Sequence, residues 1–270
     1  MSGNRMLNKV AVITGGTSGI GYACACRFAA EGAKLVLADL FADKGADSVA
    51  SLQAEYGADV IFVQTDVTSE AATEALGAAT LAKFGRVDAV IAAAGIASGS
   101  ATDEAQADAD VDPEAGHVIN KPLENWLKVL EVNLTGVMLT NKVMARLMIE
   151  GGVKGTIVNI ASVAARRPLV GAADYCVSKA GVEMLTKVLS LELMPHEIRV
   201  NSIGPGFVET PMTANLRSEN EGNMMAMGMT PMARYGKPVE IANTALFLST
   251  DESSYYAGQI LFPAGGMFTS

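Results

Sequence analysis

The chain has 270 residues, 50% of them hydrophobic and 18% charged, with a mean hydropathy of +0.27. That is enough apolar material for one large core, and it excludes a disordered chain. Lys and Arg total 20 against 29 Asp and Glu, a formal charge of -9, so the overall field opposes nucleic acid and anionic membrane surfaces. Three cysteines do not make a disulfide scaffold, and no apolar run near the polar N-terminus reaches signal-peptide or membrane-span length. The expectation is a soluble, cytoplasmic protein.

Short β-branched runs alternate with Ala-rich amphipathic stretches, the pattern of βαβ units. Strands are predicted at Val10–Thr14, Lys34–Ala38, Val60–Val63, Ala89–Ala92, Thr156–Ile160, Arg199–Ile203 and Gln259–Phe262, and helices at roughly 18–31, 43–56, 69–84, 122–150, 172–194 and 238–249. Runs this continuously apolar suit parallel strands covered on both faces. The fold class is therefore α/β: a Rossmann-like doubly wound parallel sheet of about seven strands with helices on both faces, built as a single domain over 1–270.

Two segments break the alternation. One, at about 97–121, is an acidic insertion carrying Asp103, Glu104, Asp108, Asp110, Asp112 and Glu114, six of the 29 acids. It reads as a solvated loop or as a determinant of substrate choice or assembly. The other, at about 210–238, crowds Met212, Met224, Met225, Met227, Met229 and Met232 together, either as core filler or as a mobile lid over an apolar substrate.

The first strand runs into a loop containing Gly15, Thr17, Ser18, Gly19, Ile20 and Gly21, and a helix follows at once. Glycines there let the backbone approach a pyrophosphate, whose charge meets the free N–H groups of the helix N-terminus. Asp39 ends the second strand eighteen residues beyond Gly21, where a carboxylate can accept bonds from both ribose hydroxyls. It would repel a 2′-phosphate, and neither Thr17 nor Ser18 supplies a cation, so NAD is preferred over NADP. The alternative is that Asp39 caps the following helix. Asp66, after the third strand, contacts adenine or forms a turn.

Tyr175 and Lys179 are four apart at the start of a helix, on one face. A neighbouring ammonium favours the phenolate, which would otherwise be a poor base at neutral pH. Ser162 lies thirteen residues upstream of Tyr175, just past the C-terminal edge of a strand, where such sheets place their ligand crevice. Asn133 sits mid-helix, where its mediocre propensity suggests a specific task for its amide, such as holding a water near Lys179.

With these motifs in order, together with Gly204-Pro205-Gly206 and Thr210, the whole chain resembles the single-domain short-chain dehydrogenases/reductases. The resemblance implies that Tyr175 is the acid/base, that Ser162 orients the substrate oxygen, that Lys179 binds the nicotinamide ribose and tunes Tyr175, and that Asn133 supports a proton-relay water. It implies a cofactor surface extending over Leu40, Val67, Ala93, Gly95, Pro205, Gly206, Val208 and Thr210. It further implies oxidation or reduction of a secondary alcohol or ketone, a tilt toward oxidation if NAD is used, and a homotetramer. One motif departs: the family's Asn-Asn-Ala-Gly is here Ala92-Ala93-Ala94-Gly95, removing an amide that braces adjacent strands, with a modest expected loss of stability.

The expected substrate wall includes Ala164, Leu169, Phe207 and Met212 beside Ser162, which suits a bulky apolar alcohol of steroid, terpenoid or aryl carbinol type. Arg166 and Arg167, on the same loop, either grip an anionic substrate or pair with the acidic insertion. No metal site is expected, since Cys24 and Cys26 point to opposite faces of a helix. A non-catalytic NAD-binding sensor or scaffold is the reading from a different class.

Overall fold

The computed structural model describes residues 4–97, 114 and 116–269. Most of the acidic insertion, including Asp103, Glu104, Asp108, Asp110 and Asp112, lies outside the described residues.

The chain opens as β1 (Val10–Thr14), α1 (Gly19–Ala29), β2 (Lys34–Asp39), α2 (Ala42–Tyr56), β3 (Val60–Gln64), α3 (Glu70–Phe84) and β4 (Ala89–Ala92). After the insertion come α4 (Leu123–Leu130), a π-helical turn (Glu131–Thr135), α5 (Gly136–Glu150), β5 (Thr156–Ile160), α6 (Ala173–Leu193) and β6 (Arg199–Ile203). The Met-rich segment holds α7 (Ala214–Ser218) and α8 (Asn220–Met229), and α9 (Pro238–Leu248) leads to β7 (Ile260–Leu261). All seven strands are parallel, in the order β3-β2-β1-β4-β5-β6-β7. The predicted strands and long helices are all present, with ends shifted by a few residues. The exception is the helix expected at 122–150, which the π turn interrupts at Asn133.

Period-two alternation drives this architecture. Ile13, Leu35 and Leu37 face one side, where Phe28 of α1, Leu52 of α2 and Leu246 of α9 cover them. Val12, Val36, Val90 and Ile157 face the other, against Leu76 of α3 and Met144 and Met148 of α5. Strands buried on both faces show no polar stripe, which is why their sequences read as unbroken apolar runs. The crossovers change direction between β1 and β4, and this opens a crevice above the C-terminal ends of those strands.

Ala92, the departure from the family pattern, lies opposite Asn159 in the β4–β5 ladder and is fully buried. Asn159 carries the buried amide of this region. Its Oδ1 accepts from Asn141 Nδ2 at 2.9 Å and its Nδ2 donates to Thr186 Oγ1 at 3.0 Å, tying β5 to α5 on one side and α6 on the other. Such a network is costly to break because each partner left behind is buried and unsatisfied. Asn159→Ala is expected to cost about 2–3 kcal/mol in urea unfolding; a loss under about 0.5 kcal/mol would show that the network carries no weight.

Candidate active site at the C-terminal edge of the sheet

The glycine loop joins β1 to α1. Gly15 and Gly19 have φ of +63° and +51°, the left-handed region that favours glycine. A Cβ on Gly15 would stand 2.8 Å from Ala94 N, and one on Gly21 only 2.1 Å from Gly15 O, so the loop is folded flat against the end of β4. Among the described residues no side chain caps the first amides of α1, whose N-cap is Ser18, and its first turn holds no acid. Those N–H groups are left for an anion. Ile20 packs against the core beneath the loop.

Asp39 closes the far side of this cradle. Its Oδ2 accepts from Thr17 Oγ1 at 2.6 Å and Thr17 N at 3.2 Å, and its Oδ1 accepts from Leu40 N at 2.8 Å. The capping alternative is thereby corrected, because the N-cap of α2 is Phe41 and the Asp39 oxygens are turned toward the glycine loop. Leu40 is half exposed at the rim. Asp66 forms a turn, its Oδ1 accepting from Thr68 N and Thr68 Oγ1, while Val67 is buried against Gly136 at the start of α5. On the opposite wall, Thr210 comes so near the glycine loop that a Cβ on Gly19 would meet its methyl at 3.3 Å. Val208 is buried and bridged to Gly236, and Pro205 O accepts the N–H of Val163, linking the segment after β6 to the loop after β5.

Asn133, Ser162, Tyr175 and Lys179 come from three places in the chain, the last two from α6, and meet here. Lys179 is buried on α6 and donates from Nζ to Ile160 O, the last carbonyl of β5, at 2.8 Å. Beside it lies Gly95, where a Cβ would stand 3.2 Å from Asn133 Oδ1 and 3.5 Å from Lys179 Nζ. Ser162 is buried and accepts from Ala164 N at 3.1 Å, leaving its hydroxyl hydrogen free to point at the Tyr175 oxygen. Tyr175 is half buried, and its ring centroid lies 5.7 Å from Lys179 Nζ.

Three sequence expectations change at this point. Lys179 does not pull the Tyr175 phenol down: burial pushes that phenol above its ordinary value, with the Ser162 hydrogen bond acting the other way. Burial also lowers the Lys179 ammonium itself to about 8, which weakens it as a fixed charge. Second, the Asn133 amide has protein partners that the sequence did not show. Its Nδ2 donates to Ile96 O at 2.9 Å and Ser178 Oγ at 3.3 Å, and its Oδ1 accepts from Ile96 N at 2.8 Å, so it pins the loop after β4 to α6. Third, the described residues give the two arginines partners that the sequence did not suggest. Arg166 pairs with the buried Glu183 of α6, and Arg167 donates to Met267 O at 2.8 Å and Met229 O at 3.5 Å.

The substrate-side candidates are spread by depth. Val163, Phe207, Met229, Phe262, Met267 and Phe268 form an apolar cluster around the loop after β5. Ala164 is buried beside it, Leu169 is half buried, and Met212 is half exposed, as are Met224, Met225 and Met232 to greater or lesser degree. Sequence reasoning missed Lys121, which forms a buried ion pair with Asp174, immediately before Tyr175. The pair joins residues 53 apart in sequence, and nothing local to either one marks it.

The comparisons with known proteins agree with this geometry. A family model described as enoyl-(acyl carrier protein) reductase matches residues 15–268. The chain is 37% identical over 263 residues to 2,5-dichloro-2,5-cyclohexadiene-1,4-diol dehydrogenase of Sphingobium indicum, covering 97% of each chain. It is 36% identical over 259 residues to 3beta-hydroxysteroid dehydrogenase 1 of Eggerthella lenta, covering 96% of this chain and 93% of that one. A crystal structure of a short-chain type dehydrogenase/reductase from Mycobacterium marinum superposes with a TM-score of 0.88 at 30% identity, covering 98% and 97% of the two chains. The fold and crevice define a nicotinamide-dependent oxidoreductase class. The chain belongs to the short-chain dehydrogenase/reductase family.

The buried lysine has a consequence for stability. An ammonium whose pKa falls from 10.5 to about 8 on folding opposes the folded state most strongly below pH 8, and that opposition eases as pH rises toward 10.5. Between pH 7 and 9 the parent is expected to gain roughly 1 kcal/mol of unfolding free energy relative to Lys179→Met. Parallel pH dependences in urea titrations of the two would rule out burial as the cause.

Proposed function

We propose that the protein is an NAD-dependent dehydrogenase interconverting a secondary alcohol and its ketone, with a bulky apolar substrate. The observation that carries this reading is the meeting of Ser162, Tyr175 and Lys179 beside an apolar wall at the crevice end of the sheet. When bound, a nicotinamide supplies the hydride acceptor or donor and, oxidised, a positive charge near the phenol.

The chain's own residues supply the proton chemistry and the positioning. Ser162 holds the substrate oxygen against the Tyr175 hydroxyl, and Tyr175 takes the alcohol proton in oxidation or returns it in reduction. Lys179, held by Ile160 O with its Nζ 5.7 Å from the centre of the Tyr175 ring, would bind the cofactor ribose. The α1 amides and glycine loop receive the pyrophosphate. Asp39, already aligned by Thr17 and Leu40, receives the ribose hydroxyls and disfavours a 2′-phosphate, which supports NAD. The apolar cluster around Phe207 and Met229 closes over the substrate, with α7 and α8 as its lid.

Two relatives are named for alcohols carried on rings, a cyclohexadiene diol and a 3beta-hydroxysteroid, which supports a cyclic secondary alcohol. Arg166, paired through Nε with Glu183, and Arg167, bonded to Met267 O, both have structural partners, which favours the apolar substrate over an anionic one. The oligomer we propose is a homotetramer in the cytoplasm. A groove of about 430 Å³ between α5 and α6 is lined by Met138, Ala145, Ile149 and Leu189, and Met184 and Leu191 project from α6 into solvent. Light scattering is expected to give four chains, and a monomer would remove that assignment.

Screening NAD reduction against hydroxysteroids, cyclic diols and aryl carbinols tests the reaction. Tyr175→Phe is expected to lower turnover by about 10²–10⁴ with the protein still folded. A non-catalytic NAD-binding role would show as no turnover by the parent and an unchanged NAD affinity in that variant. Because the Tyr175 phenol is raised, oxidation is expected to climb with pH while ketone reduction falls, the first needing the phenolate and the second the phenol. Asp39→Ala is expected to narrow the preference for NAD over NADP by about tenfold or more, since about 1.4 kcal/mol of charge repulsion is a factor of ten; an unchanged ratio would exclude Asp39 as the discriminator.

A further inference from the structure

Lys121, the last residue of the acidic stretch, is not a surface charge. Its side chain is 6% exposed, and Nζ lies 3.0 Å from Oδ2 of Asp174, whose side chain is fully buried. Asp174 stands in the first turn of α6, and its Oδ1 accepts the N–H of Tyr175 at 2.8 Å. One carboxylate therefore joins the segment entering α4 to the backbone of the residue read here as the acid/base. Gly116, five residues before Lys121, also lies on the loop leading into α6, where a Cβ on it would stand 2.8 Å from Gly171 O.

The position of this pair matters because helix ends are loosely held. The first N–H groups of a helix have no partner within it, and the N-cap of α6, Ala172, offers no side-chain oxygen. Asp174 fills that gap, and its charge suits the positive end of the helix. A carboxylate with no exposure is costly to bury unless it is paired, and Lys121 is the cation that pairs with it. Tyr175 is the next residue, so a rotation of this first turn would swing its ring away from Ser162.

We propose that Lys121 is a positioning residue: through Asp174 it fixes the first turn of α6 and so holds the Tyr175 hydroxyl beside Ser162. The inference rests on Tyr175 being the acid/base. The test compares the full-length parent with Lys121→Met and with the double variant Lys121→Met/Asp174→Asn, all saturated with NAD. Hydrogen exchange at the Tyr175 amide needs no substrate; kinetics use whichever alcohol of the panel the parent oxidises fastest.

In Lys121→Met the Tyr175 amide is expected to exchange faster while amides of β1 and α1 keep their protection. Turnover is expected to fall by about tenfold to a hundredfold, as for a misplacement of about 1 Å. KM for NAD should stay within about twofold and the solvent isotope effect on turnover should rise, as expected when only proton transfer is disturbed. If Lys121→Met does not fold, the double variant, which buries no unpaired charge, takes its place with the same expectations. Unchanged exchange at Tyr175, or turnover equal to the parent in a folded variant, overturns the proposal. If Tyr175→Phe keeps its turnover, the acid/base reading falls; if Tyr175→Phe is inactive while the Lys121 variants stay active, only the positioning role falls.

Discussion

Lys179 must be held out of water, its ammonium against the last carbonyl of β5, and most of the site's construction follows from that requirement. An ammonium this buried lowers its own pKa, so the surrounding chain has to give it hydrogen-bond acceptors and keep other cations away. Ile160 O, the last carbonyl of β5, supplies one acceptor. The close packing of Gly95 follows as well, since a Cβ at that position would crowd Asn133 Oδ1 at 3.2 Å and touch the ammonium.

The π turn in the α4–α5 rod serves the same arrangement. A continuous α-helix through Glu131–Thr135 would rotate Asn133 to a different bearing; the extra residue in the turn lets its amide face the loop after β4. There it makes a reciprocal pair of bonds with Ile96 and a third to Ser178, whose own hydroxyl donates to Tyr175 O. The loop after β4, the π turn and the Tyr175–Lys179 face of α6 are thus one hydrogen-bonded unit. Asn133 holds Ile96, and with it Gly95, beside Lys179.

Much of this was legible in the chain. The glycine loop, Asp39 and the Tyr175–Lys179 spacing announce themselves because each depends on a few neighbouring residues and on a strand or helix boundary that periodicity reveals. What was hidden depends on distant partners. Arg166 could not be assigned to Glu183, nor Arg167 to the carbonyls of Met229 and Met267, because those contacts are set by how the loop after β5 seats on α6 and on the C-terminal tail. The π turn was invisible for a different reason: apolar periodicity at 3.6 survives one inserted residue, so 122–150 reads as a single helix. The sense of the Tyr175 shift was misjudged because helical spacing shows that Lys179 is near but not how dry the site is, and at this depth burial outweighs proximity.

The arginines also bear on how the Met-rich segment is held. Arg167 ends in two main-chain carbonyls, one at the end of α8 and one in the C-terminal tail, so the loop carrying Ser162 is bonded to both sides of the apolar cluster. Arg166, turned the opposite way, fastens the same loop to α6 through Glu183. A pair of adjacent cations that looked suited to an anion instead ties the loop after β5 to α6, to the end of α8 and to the C-terminal tail. The surroundings of that loop are left apolar, with Val163, Phe207 and Met229 in one cluster.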